Sequence, residues 1–160
     1  STEMFNGPVH YLDVLKNGKK QVNQNIIRKQ KVVMEIKNSI NKLINAGKKV
    51  FVIYPIPEVG FNVPIRMAKN TLFQENKQID HSYEVYLKRN EQIRNLFDSM
   101  RGHHPNLMFG DISDNFCNRD TKRCATTNKK GVPLYNDDDH LSNSGSKILV
   151  DLFSEWQNRF

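Results

Sequence analysis

No apolar run in the chain approaches the roughly 20 residues needed to span a bilayer, so nothing here reads as a membrane helix. The first ten residues lack the charged start and apolar stretch of a secretory leader, and if the chain is exported, the exporting segment lies outside it. Cysteine is scarce: Cys117 and Cys124 are the two present. Their gap is too long for a Cys-x-x-Cys redox site, and two thiols make no zinc set without distant histidines. Polar residues surround both. A local disulfide in an oxidising compartment is the simplest account. Two free thiols in a reducing compartment are the alternative. Acidic residues are outnumbered, 17 against 24 Lys and Arg, for a net charge of +7. Much of the excess lies in Lys16, Lys19, Lys20, Arg28, Lys29 and Lys31. A solvated helix face accounts for it, and attraction to phospholipid head groups or acidic glycans is the functional reading. No basic strand interleaved with aromatics and no nucleic-acid-binding motif is present, so nucleic acid is not an expected partner.

At 160 residues the chain is long enough for one domain with a real core. Ser1 to Gln24 shows no period and reads as irregular. Asn25 to Ala46 predicts a helix, with Ile26, Val33, Ile36, Ile40, Leu43 and Ile44 on one face and Gly47 closing it in the left-handed conformation. Val50 to Tyr54 is a continuous apolar run bounded by Pro55. It predicts a strand buried on both faces, as in parallel sheets. Helix, short loop and buried strand form half of a doubly wound α/β unit, whose sites lie in loops at the carboxyl ends of strands. The segment Pro55-Ile56-Pro57-Glu58-Val59-Gly60 is therefore a candidate rim of a site, or simply a loop stiffened by proline. Pro64 breaks the next segment, and Ile65 to Phe73 suits a short helix. Ser82 to Arg101 predicts a second long helix with Tyr86, Ile93, Leu96, Phe97 and Met100 inward. Gly102-His103-His104-Pro105 stops it; that histidine pair reads as a solvated turn, not a metal site. Leu107 to Phe109 predicts another short buried strand.

Chemistry concentrates in Tyr135-Asn136-Asp137-Asp138-Asp139-His140-Leu141-Ser142. Beyond it Gly145, Ile148, Leu149, Leu152, Phe153 and Trp156 recur at helical spacing, with Ser142 placed to cap the helix. His140 thus sits in a loop anchored at its far end. A histidine takes and returns protons near neutral pH. As a general base it needs one tautomer, which a carboxylate on Nδ1–H supplies. Asp137, three residues earlier, is the expected partner. Asp138 and Asp139 are expected to diverge from the ring. A solvated acidic loop and a divalent-metal site are the competing readings, although no second His, Cys or Glu stands at ligand-like spacing.

The run Asp137-Asp138-Asp139-His140-Leu141-Ser142 with Gly145 resembles the last block of the SGNH hydrolase superfamily, in the form fused to membrane acyltransferase-three proteins. The resemblance covers roughly Val50 to Phe160. It implies a three-layer α/β/α sandwich with a mainly parallel sheet, flavodoxin-like in outline and lacking its amino-terminal part. It implies Asp137 and His140 as two members of a Ser-His-Asp triad, with no metal or organic cofactor. Related domains commonly carry a cysteine pair shortly before this block, which supports a bridge between Cys117 and Cys124. The implied activity is O-acylation, with acetyl as the expected group, of a surface polysaccharide such as lipopolysaccharide. The implied partners are the acyl donor, the polysaccharide acceptor and a membrane domain of the same polypeptide, on the periplasmic or extracytoplasmic face of a bacterial inner membrane. An esterase that removes such groups, or a non-catalytic basic domain holding anionic glycan or membrane surface, are the rivals. The family's nucleophile block, Gly-Asp-Ser after the first strand, has no counterpart here. Gly110-Asp111-Ile112-Ser113 comes nearest, but it carries an extra residue, precedes a cysteine loop where the family has a helix, and falls too late in the chain. Ser113 is expected to be a decoy, with the nucleophile missing from this chain.

Overall fold

A computed structural model describes residues 19–158, with side chains described from residue 26 onward except at positions 151, 152 and 155. The elements run α1 (Lys19–Asn45), β1 (Val50–Ile53), α2 (Val63–Leu72), β2 (His81–Ser82), α3 (Tyr83–Met100), β3 (Leu107–Gly110), α4 (Ser113–Phe116), β4 (Cys117–Asn118), β5 (Arg123–Cys124) and α5 (Asn143–Gln157). The class is mixed α/β. The chain divides into two compact units, Ser1–Val52 with Glu91–Phe109, and Ile53–Asn90 with Gly110–Phe160. No described helix is long and apolar enough to cross a membrane.

In the first unit α1 begins earlier than its periodicity indicated. Residues 19–24 are helical, where an irregular segment was expected; Lys and Gln extend a helix at little intrinsic cost. The rest of the irregular segment lies outside the described residues. Only Ile40 and Ile44 of the expected face are buried, while Ile26 and Leu43 are exposed. Periodicity reports which residues share a face, not how much of it is covered. Gly47 closes the helix as expected, at φ 73°, with its N–H on the Ile44 carbonyl and the Lys48 N–H on that of Leu43. Val50 donates to the Asn106 carbonyl and Tyr54 to that of Gly110. Both indices rise together, so β1 and β3 pair in parallel. The expected double burial of β1 is partial: Val50 is buried and the next three residues are half-buried.

The second unit holds the chemistry. Pro64 opens α2 instead of breaking it, because the first helical turn has no partner for the N–H that proline lacks. Asn62 caps that helix, its side chain accepting from the Ile65 N–H at 2.9 Å. A small antiparallel sheet has the order β2-β5-β4. Its β4–β5 hairpin is closed by the Cys117–Cys124 disulfide. It follows a one-turn helix, α4, where the sequence suggested the cysteine loop alone. The described sheets are thus one parallel pair and one antiparallel trio, not a mainly parallel sheet.

Two phenols explain how the Pro55–Gly60 segment runs inward without secondary structure. Prolines donate nothing to a ladder, yet their buried carbonyls still need donors. Tyr86 donates its hydroxyl to the Pro55 carbonyl at 2.8 Å, and Tyr135 donates to that of Pro57 at 2.7 Å. Tyr135, Tyr86 and Tyr54 are among the most buried side chains in the protein. Burial holds the Tyr135 phenol protonated well above the ordinary tyrosine range.

Candidate active site

The motif folds as a loop closed at its base. Tyr135 and Leu141 form an isolated antiparallel bridge, and the Asn136 N–H donates to the His140 carbonyl at 2.8 Å. Asp137, Asp138 and Asp139 cross the top. The stem is anchored on Leu134, whose N–H donates to the Thr126 carbonyl and whose own carbonyl accepts from the Ser142 N–H. Ser142 caps α5 as expected, accepting from the Gly145 N–H at 3.2 Å, and its hydroxyl donates to the Pro133 carbonyl at 2.7 Å. Of the expected inward face of α5, Trp156 is buried but Phe153 is exposed, standing edge-on to the Trp156 ring. Periodicity places Phe153 on the apolar stripe but does not say whether another element covers it.

The Pro55–Gly60 segment and the start of α2 lie against this loop. Val59 donates its N–H to the Asp138 carbonyl at 2.8 Å, and Val63 donates to that of Asp137 at 3.1 Å. The acidic crossing is therefore held by backbone on both sides. Sequence reasoning placed the segment as a rim but could not find these bonds, because a backbone donor carries no residue signature.

Asp137 divides its two oxygens between two tasks. Oδ1 accepts the backbone N–H groups of Asp139 at 3.0 Å and His140 at 2.7 Å. Oδ2 lies 2.9 Å from His140 Nδ1. The backbone bonds, that of His140 first, and the imidazole hold the Asp137 carboxyl well below the usual carboxylate range. The expected pairing of Asp137 with His140 is present. The expectation that Asp139 diverges is corrected: its Oδ1 also lies 2.9 Å from His140 Nδ1. The tight loop turns the chain back between the two residues, so adjacency in sequence does not separate their side chains. The hydrogen bond from Asp137, then the charges of Asp137, Asp139 and Asp138, raise the His140 pKa above its ordinary value. The imidazole is about three-quarters exposed, so the base is open to solvent and to a bulky partner.

Among the described residues, Asp137, Asp139 and His140 form a group whose ligand atoms lie within 4.8 Å of one another. The donor types suit a divalent ion. The 2.9 Å separation of Asp137 Oδ2 from His140 Nδ1 is an ordinary hydrogen-bond distance, the arrangement that a general base also uses.

Ser113 is fully buried, and its hydroxyl has no hydrogen-bond partner among the described residues. The His140 ring meets no hydroxyl among them either. Among the described residues no hydrogen bond joins Ser113 to His140.

Gly145 admits no side chain. A Cβ there would sit 2.1 Å from the Leu134 carbonyl oxygen, which is fixed backbone. Gly145→Ala is expected to push α5 off the stem and cost about 1–3 kcal/mol, the range for forced overpacking. Urea unfolding of the two proteins checks this, and an unchanged midpoint would refute it.

A half-buried ion pair joins Glu58 of the Pro55–Gly60 segment to Arg89 of α3. The closed acidic loop with its His-Asp pair thus stands on a mixed α/β scaffold beside one disulfide-closed hairpin. The family model for the SGNH domain fused to AT3 domains matches residues 4–155. This chain belongs to that family. The match begins well upstream of Val50, where the resemblance in the motifs began. Searches of curated proteins and of solved structures return no match. Family membership supports an acyl-transfer or esterase-type role and association with a membrane acyltransferase domain in the same polypeptide.

Proposed function

We propose that this chain is the catalytic extracytoplasmic domain of an O-acyltransferase that moves an acyl group, acetyl being the simplest, onto a cell-surface polysaccharide. Asp137 holding the Nδ1 of the exposed His140 is the observation that carries the reading. Family membership supports it. In this reading residues 1–160 are one domain of a three-layer α/β/α sandwich on the periplasmic face of a bacterial inner membrane, and the serine nucleophile and the oxyanion donors come from outside the His140 loop.

His140 Nε2 takes the proton of the serine hydroxyl as its oxygen attacks the acyl carbonyl. The imidazolium, stabilised by Asp137 and Asp139, returns that proton to the departing donor group. An acyl-serine remains. His140 next deprotonates a sugar hydroxyl, which attacks the acyl carbon, and the imidazolium gives that proton to the serine oxygen as its bond to the acyl carbon breaks. Water in place of the sugar would make the same site an esterase. A non-catalytic basic domain is the further reading, and the lack of a hydroxyl at His140 among the described residues is what favours it.

The test assays the whole polypeptide in its membrane with a labelled acyl donor and either bare or pre-acylated glycan. Label appearing on bare glycan is the expected result. Loss of acyl groups from the pre-acylated glycan alone would replace transferase with esterase. Neither activity in a folded, membrane-inserted protein would leave the binding-domain reading in its place.

A further inference from the structure

Helix α2 is amphipathic in the reverse sense. Its inward side buries Val63, while Ile65, Ala68 and Leu72 share the opposite face and Phe73 follows at the helix's end. Leu72 is 74% exposed, Phe73 67% and Ile65 54%. Two large apolar side chains ending an exposed helix are not the usual margin of a core, since contiguous exposed apolar surface marks an interaction site. The surrounding charge is mainly of one sign. Residues 61–78 carry Arg66, Lys69 and Lys77 against Glu75 alone. Lys69 projects on the same face as Leu72, Arg66 stands 4.3 Å over the Phe61 ring, and Lys77 pairs with Glu75.

We propose that the C-terminal tip of α2, Leu72 and Phe73 with Lys69, docks on an anionic lipid surface. The tip ends in a turn, with Gln74 at φ 52°. Apolar side chains rimmed by cations are the composition that binds an anionic interface, where burial of apolar area and charge attraction add. The family's fusion to membrane acyltransferase domains keeps a bilayer within reach. The other end of α2 meets the His140 loop through the Val63 N–H on the Asp137 carbonyl. A ten-residue helix is about 15 Å long, so the docked tip and the loop would stand about that far apart. The proposal does not rest on acyl transfer, and its test uses no acyl donor.

The test is co-sedimentation of this chain with vesicles of phosphatidylglycerol and phosphatidylethanolamine at about 0.1 M salt, where screening still spares charges in contact. The expected result is binding that weakens with added salt and falls at least about tenfold in the doubly substituted L72S/F73S protein, each lost burial alone being sufficient for that. Lys69→Glu, which leaves the apolar face intact, is expected to weaken binding as well. Both sets of changes fall on exposed positions, and circular dichroism confirms that each variant is folded. Absence of binding by the unaltered chain, or unchanged binding by the L72S/F73S protein, would overturn the proposal and assign the face to a protein contact instead.

Discussion

Replacing His140 with alanine in the whole polypeptide is expected to lower polysaccharide acylation by at least about a thousandfold, the scale on which removing a triad base acts. Nuclear magnetic resonance of the isolated polysaccharide reads the acyl content directly. The imidazole is exposed and its ring contacts Asp137 and Asp139 at the loop, so the change costs the fold little, and intact acylation would remove the catalytic reading. Asp137→Asn sharpens the test. The asparagine oxygen still accepts the backbone N–H groups of Asp139 and His140, as Asp137 Oδ1 does. Its NH2 group, however, faces Nδ1 as a donor, which favours the opposite tautomer and removes the charge that stabilises the imidazolium. The rate is expected to fall steeply while the loop persists.

The pH profile carries the same argument in another variable. A base is active when neutral, and the carboxylates raise the His140 pKa. The acid limb of the rate in the unaltered protein should therefore lie above the ordinary histidine value of about 6.5. In Asp137→Asn it should move to lower pH, because the largest cause of the raised pKa is gone. A limb that stayed in place would mean that another group titrates.

Folding stability is expected to fall by about 3 kcal/mol between neutral pH and pH 4 through a single residue, His81, counted at about 1.36 kcal/mol per pH unit. His81 stands on β2 opposite Cys124. It is 4% exposed, and its Nε2 has no hydrogen-bond partner among the described residues. Burial, reinforced by the Arg123 charge and opposed by Asp80, lowers its pKa from 6.5 to about 4. The folded value lies below the unfolded one, so between those limits the unfolded chain binds a proton that the folded chain does not. Stability is full above about pH 6.5 and is lost as the pH falls towards 4. Urea unfolding of the chain at several pH values measures the slope. His81→Leu loses some packing at every pH but removes this titration, so the comparison is of slopes, not of absolute stability. Equal slopes in the two proteins would show that His81 takes a proton inside the folded sheet without penalty.

The legible parts of this chain were those whose cause is local. Gly47 ends α1 because the left-handed backbone there suits a residue without Cβ. Ser142 caps α5 because a hydroxyl precedes a helical period. Asp137 meets His140 because three residues of turn bring them together, and the cysteine pair closes a hairpin only eight residues long from end to end. Pro64 misled because a residue that breaks a helix interior also begins helices well, and the sequence does not say which position it will occupy. Ile26, Leu43 and Phe153 lie on apolar stripes yet remain exposed, since a stripe describes one element and burial requires another.

The amino-acid sequence by itself determined the acidic loop, its histidine, its helix cap and the α/β class, all from spacings of a few residues. Only the tertiary structure decided that Tyr135 would supply the Pro57 carbonyl across 78 positions of sequence, that Val59 and Val63 would grip the acidic crossing, and that His81 would be sealed with no partner for its Nε2 among the described residues. Those outcomes follow from backbone groups and burial brought together by the fold. Any residue offers the same N–H and carbonyl, so no side-chain pattern announces which distant donor will arrive.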